Sequence, residues 1–190
     1  MSSSDVQKNI RLFEAVHTGG NQVVQNVLDA GVNVEVRDTP LRRTLLMIAA
    51  SHGHSTMVDE LLDRGALIEA TDRWGMTALM HAATTTSKRT IQVLLERKAN
   101  INAQDKNGQT ALMWSAMRSD NASETTTQTL LDGGADIALV DKRGLTAEEV
   151  AQGGAKDVLI ADRVTRERAL FRQAAGIDPE DQPKTTRRRL

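Results

Sequence analysis

The chain has no cysteine and no tyrosine. Without cysteine there are no disulfides, no thiolate zinc sites and no cysteine nucleophile. Aromatic side chains number four: Phe13, Phe171, Trp74 and Trp114. A core must therefore come from Leu, Ile, Val, Met and Ala, which suits thin helix pairs in close contact. No apolar run approaches the length of a membrane span, and the N-terminus has no basic segment followed by an apolar one, so no signal peptide is expected. Charge of one sign is also missing overall, since the net charge is −1. It is unevenly spread, however. Residues 163–190 carry eight Lys/Arg against four Asp/Glu, which leaves −5 on the rest. A basic tail on an acidic body hints at a tail-borne contact.

What the sequence does contain is a threefold repetition. Thr44-Leu-Leu-Met-Ile-Ala-Ala50 returns as Thr77-Ala-Leu-Met-His-Ala-Ala83 and as Thr110-Ala-Leu-Met-Trp-Ser-Ala116, 33 residues apart each time. A fixed period of this length signals stacked supersecondary units. Asp72-Arg-Trp-Gly75, Asp105-Lys-Asn-Gly108 and Asp141-Lys-Arg-Gly144 precede the blocks and read as turns, with Gly supplying the positive φ. The Thr that follows suits a helix N-cap. Leu pairs at 61–62, 94–95 and 130–131 end a second helix, with Gly65 and Gly134 as C-terminal caps.

These columns closely resemble the ankyrin repeat, over about residues 9–162. Gly53-His54, Gly65-Ala66, Ala99-Asn-Ile-Asn-Ala103 and Gly134-Ala-Asp-Ile137 match its further elements. The resemblance implies an all-α ankyrin-repeat solenoid of helix-turn-helix units with β-turn fingers, plus a C-terminal capping helix. Five units are expected, at about 9–37, 38–71, 72–104, 105–140 and 141–162, after a tail over 1–8. The first lacks a finger and has helices over Asn9–His17 and Gln22–Ala30. The last is degenerate after Ala151, as terminal units turn one face to water.

Departures from the family pattern carry expectations of their own. Met47, Met80 and Met113 stand where the family has His, so the units should be joined more by packing than by side-chain hydrogen bonds. The finger Asp38–Arg43 lacks its Gly, has one extra residue, and should be irregular. A β-branched Thr86 near a left-handed position should be strained. Three extra residues within Ser119–Thr127 should lengthen the loop of the fourth unit. A single helix over Lys156–Ala175, stopped by Gly176, should lay Val158, Ala161, Val164, Arg168 and Phe171 on the fourth unit as a cap, with 163–176 its extension. Residues 177–190 are patternless and expected to be disordered.

Chemistry is hard to place. His52-Gly53-His54 looks like a metal pair, but Gly53-His54 is the family's turn element, and His17 and His81 are expected to stand apart in other units. Gly153-Gly154-Ala155-Lys156 lacks the spacing and preceding strand of a phosphate loop. No catalytic set, metal or cofactor is assigned. Arg187-Arg188-Arg189 is short for a nucleic-acid arm, so nucleic acid and membrane are not expected partners. In the family, finger tips and inner helices bind proteins. By position, that face here would use Arg43, Arg73, Trp74, Met76, His81, Lys106, Gln109, Trp114, Met117, Arg118 and Arg143. Trp, Met and Arg are favoured at the centre of interfaces, and the cations of the rim, Lys142 among them, favour an acidic protein partner. The plainer reading has Trp114 packed sideways between helices and Trp74 covering a neighbouring finger. The resulting expectation is a non-catalytic interaction module (adaptor, scaffold, inhibitor or effector), monomeric on its own. Its compartment would be the cytoplasm, with the nucleus or a pathogen's host cell as other settings. The rivals are a reader of a modified peptide tail, using both tryptophans as a cation–π cage, and an enzyme with an unrecognised site.

Overall fold

The computed structural model describes residues 3–85 and 87–174. The expectations for Thr86, for the Gly176 helix stop and for residues 177–190 fall outside these. The described residues form ten helices in two rows. The inner row is α1 (Ser3–Thr18), α3 (Leu45–Ser51), α5 (Ala78–Ala83), α7 (Ala111–Ala116) and α9 (Ala147–Val150), each packed on the next. The outer row is α2 (Asn21–Asp29), α4 (Ser55–Asp63), α6 (Lys88–Glu96) and α8 (Asn121–Asp132). The closing helix α10 (Gly154–Ala174) lies against α7, α8 and α9. The first helix begins at Ser3 rather than Asn9, so it takes in most of the expected tail.

The repeated block forms helices for a local reason. Thr44, Thr77, Thr110 and Thr146 are extended N-caps whose hydroxyls accept the N–H three residues on. Each such cap is worth about 1 kcal/mol. Of the inner helices, α3 and α5 are buried almost all round: Leu45 to Ala50, and Leu79, Met80, Ala82 and Ala83, are at most 2% exposed. Alanine on the contact faces lets these short helices approach closely, as the lack of aromatics requires. Met47 and Met80 are fully buried, and their sulfurs accept the backbone N–H of Thr44 and Thr77 at 3.5 Å. The methionines thus complete the cap from inside the core.

Side-chain hydrogen bonds between units are nonetheless plentiful, contrary to the expectation drawn from those methionines. Arg64 joins Asp29 to Glu60, and Arg97 joins Asp59 to Asp63. Glu35, Glu69 and Asn102 accept the N–H of Leu67, Asn100 and Asp136 in the following unit. The polar ties have moved from the centre of each helix to the edges of the stack, where water weakens the cost of imperfect pairing.

Two further expectations are corrected. The three extra residues of the fourth unit extend α8 and leave its loop unchanged: α8 has 12 residues where α4 and α6 have nine. Asp120 caps it by accepting the Ser123 N–H, and Thr126 and Thr129 donate to carbonyls four residues back. Ser115 and Thr127 share a buried hydroxyl contact of 3.0 Å. A run that reads as polar loop is accommodated in a helix, with its hydroxyls satisfied at backbone carbonyls and at Ser115. The capping stripe of α10 is also shorter than expected. Ala155 and Leu159 are buried, whereas Leu170 and Phe171 are 66% and 71% exposed. At 1.5 Å per residue α10 is about 31 Å long, against about 18 Å for α8, so its outer half outruns the surface it caps.

Candidate functional site: the finger edge

Each finger is a turn braced by one carboxylate. The N–H of Asp72, Asp105 and Asp141 donates across its turn to Met76, Gln109 and Leu145, and Asp38 does the same to Arg43. In the three regular fingers the Asp Oδ1 accepts two backbone N–H groups. For Asp72 these come from Trp74 and Met76, for Asp105 from Asn107 and Gln109, and for Asp141 from Arg143 and Leu145, at 2.7–3.1 Å. Gly75 and Gly108 hold φ of 84° and 77°, and a Cβ on either would come within about 3 Å of the next finger's backbone N (2.9 Å to Lys106, 3.0 Å to Lys142). Glycine is thus required twice over, by dihedral and by proximity. In the irregular second finger Arg42 takes the positive φ, at 62°.

The second carboxylate oxygen takes a different donor in each unit. Asp72 Oδ2 receives His81 Nε2 at 3.1 Å, and Asp105 Oδ2 receives Trp114 Nε1 at 3.1 Å. In the second unit the residue after Met is Ile48, which has nothing to donate, and Arg43 binds Asp38 instead. In the fifth the corresponding residue is Val150, and Arg143 binds Asp141. Where the helix cannot brace its finger, an arginine of the finger does. The carboxyls respond accordingly. Burial pushes Asp72 up, but hydrogen bonds from His81 and from the Met76 and Trp74 N–H groups outweigh it and hold the group below its ordinary value. Asp141 is held low against its burial in the same way by Arg143 and the Leu145 N–H.

Successive fingers are joined tip to tip. Arg73 N–H donates to Leu41 O at 3.0 Å, Lys106 N–H to Trp74 O at 2.9 Å, and Lys142 N–H to Asn107 O at 2.8 Å. Arg73, Lys106 and Lys142 therefore occupy one position on three consecutive fingers, all exposed. Trp74 is 44% exposed, with the Arg73 guanidinium 5.4 Å from its ring centroid.

The residues expected at the interface thus divide. Arg73, Trp74, Lys106 and Arg143 lie together on the exposed edge. His81, Met76 and Gln109 are buried, at 8%, 7% and 9% exposure, and Trp114 is half-buried with its N–H committed to Asp105. Met117 and Arg118 are half-buried, Met117 accepting from Gln109 and Arg118 paired with Asp120. Arg43 is tied to Asp38. A cage of both tryptophans would have to release Trp114 from Asp105 and displace Arg73 from Trp74.

The histidines differ from expectation. His17 does not stand apart: its ring lies 5.0 Å from that of His52, which stacks at 5.8 Å on His54. Among the described residues no three His, Cys, Asp or Glu side chains are placed to hold a metal. Among them also, no helix is long and apolar enough to cross a membrane.

Finger turns, capped inner helices and an outer helix row, repeated with one register, define a helical-repeat solenoid of interaction-module type. Models of known families are specific about which. Ankyrin repeats in three copies match residues 12–105, and a further ankyrin repeat matches 107–142. The chain belongs to the ankyrin-repeat family, whose members are as a rule protein-interaction modules. It is similar to serine/threonine-protein kinase 12 of Arabidopsis thaliana, 33% identical over 73 residues. That stretch is 38% of this chain and 16% of the kinase, and it covers only the repeats.

Proposed function

We propose that the chain is a non-catalytic protein-binding module that takes an acidic surface of its partner along the finger edge. The observation that supports this is the row of Arg73, Lys106 and Lys142, exposed at one position of three consecutive fingers and tied together through the backbone. A partner meeting that row finds cations already placed, so little ordering is lost on binding. Trp74, exposed beside the row, supplies the apolar anchor that charge alone does not. Arg43 and Arg143 flank the edge with their charges partly answered by Asp38 and Asp141, Met117 meets the finger through Gln109, and Arg118 stands off it, paired with Asp120 at the start of α8. His81, Trp114, Met76 and Gln109 serve the same surface from beneath, by holding the fingers in register. Adaptor, scaffold and inhibitor are all uses of one such surface.

The test is selection of binders from a displayed peptide library. Recovered sequences should be rich in Asp and Glu, and their binding should fall with salt. The charge reversal Arg73→Glu, Lys106→Glu and Lys142→Glu should weaken it more than tenfold, as should Trp74→Ala. Binders without acidic bias, or binding unmoved by either variant, would remove the reading.

A further inference from the structure

The first two units carry a groove beside the second finger, at the end of the finger row. Its walls are the inner stripe of α1, through Ile10, Phe13, Glu14 and His17, and the base of the second finger, through Arg37 and Asp38. It offers about 630 Å³ of space open to solvent, room for more than one side chain of a visitor. The groove is open because the first unit has no finger of its own to lie there, which leaves Ile10 45% exposed. Most of its polar groups are already committed. Arg37 donates to the carbonyls of Arg42 and Thr71, Asp38 is bound by Arg43, and His17 Nδ1 pairs with Phe13 O. Glu14 is exposed and forms no ion pair with any described residue. An apolar groove with one unanswered negative charge suits an apolar anchor lying beside a cation.

The chain itself presents that chemistry at its other end. Leu170 and Phe171 are the two most exposed large apolar side chains among the described residues. Arg168 and Arg172 flank Phe171 in a shallow cleft on α10, and neither is ion-paired with a described residue. The inner half of α10 is anchored on α7, α8 and α9, with the stack between it and α1. The helix therefore does not reach the groove of its own chain. We propose that the outer half of α10 seats in the α1 groove of a second copy, with Leu170 and Phe171 against Ile10 and Phe13 and an arginine on Glu14. The two surfaces differ, so the contact is heterologous: each added copy presents a fresh groove or a fresh helix until the rotation between copies closes a ring. This departs from the monomer expected from sequence, and it does not depend on the finger-edge reading.

Sedimentation equilibrium of the full chain tests it, with two variants at exposed positions, Ile10→Asp and Phe171→Asp, whose folding is checked by circular dichroism. The wild type should gain mass with concentration and pass the dimer. Each variant alone should stay at monomer mass. Their equimolar mixture should form a dimer and stop there, since only one intact groove and one intact helix remain. Glu14→Lys should weaken association, and Arg168→Glu with Arg172→Glu should restore it. A wild type that stays monomeric at every concentration overturns the proposal. So does a dimer lost in Phe171→Asp but kept in Ile10→Asp, which would mean helix-to-helix pairing.

Discussion

One carboxylate oxygen per finger explains why the position after the repeated Met varies. In the third and fourth units that position holds His81 and Trp114, and both donate to the finger Asp nine residues earlier. In the second and fifth it is apolar, and Arg43 or Arg143 fills the vacancy. The slot is free to vary because the requirement is for a donor at Oδ2, and the helix or either of two finger positions can supply one. His81→Ile should therefore leave the buried Asp72 carboxylate half-satisfied and cost about 1–3 kcal/mol. Adding Met76→Arg, which places an arginine at the position of Arg43, should return at least half of that. Urea denaturation of the single and double variants measures both, and a second substitution that only adds to the loss would show that the brace does not move between sites.

At the scale of the element, legibility follows how local the signals are. The inner helices were readable because their signals are local: a Thr cap, an unbroken apolar block, a following turn. The finger Gly and Asp columns were equally plain. What the sequence hid were polar groups whose partners are remote. Ser123, Thr126 and Thr127 look like loop until the carbonyls and the Ser115 hydroxyl that receive them are in place. His81 and Trp114 look like surface until Asp72 and Asp105 are seen beneath them. In α10 the stripe was legible but its reach was not, since periodicity says which residues share a face and not how far the neighbour extends. Leu159→Ala should cost about 2–5 kcal/mol, the usual loss on emptying a packed site, while Leu170→Ala should stay within about 0.5 kcal/mol. Thermal unfolding of the two variants at a concentration low enough to keep copies apart distinguishes an anchored inner half from a projecting outer one.

Over the whole molecule, each unit touches only its neighbours, so a local loss of stability need not spread along the stack. Among the described residues, Asp72 in the third unit, Asp120 in the fourth, and Asp141 and Glu149 beyond it are held below their ordinary values. Arg118 lowers Asp120, and the Thr146 N–H and hydroxyl lower Glu149. A carboxyl lowered in the folded state binds its proton more readily when unfolded. Its contribution is therefore present above the ordinary carboxylate range and is lost as pH falls through the lowered folded value. Trp74 donates its backbone N–H to Asp72, and Trp114 lies in the unit that holds Asp120. On acidification, the tryptophan fluorescence transition should come at a higher pH than the loss of helical circular dichroism, because a stack can release the fingers around these carboxyls before its remaining helices melt. Asp72→Asn should lower stability at neutral pH and flatten its dependence on pH below about 4, since the group that titrates is gone. Coincident transitions by both probes, with the same slope in Asp72→Asn, would mean that the five units unfold as one body and that the finger carboxylates do not set its acid limit.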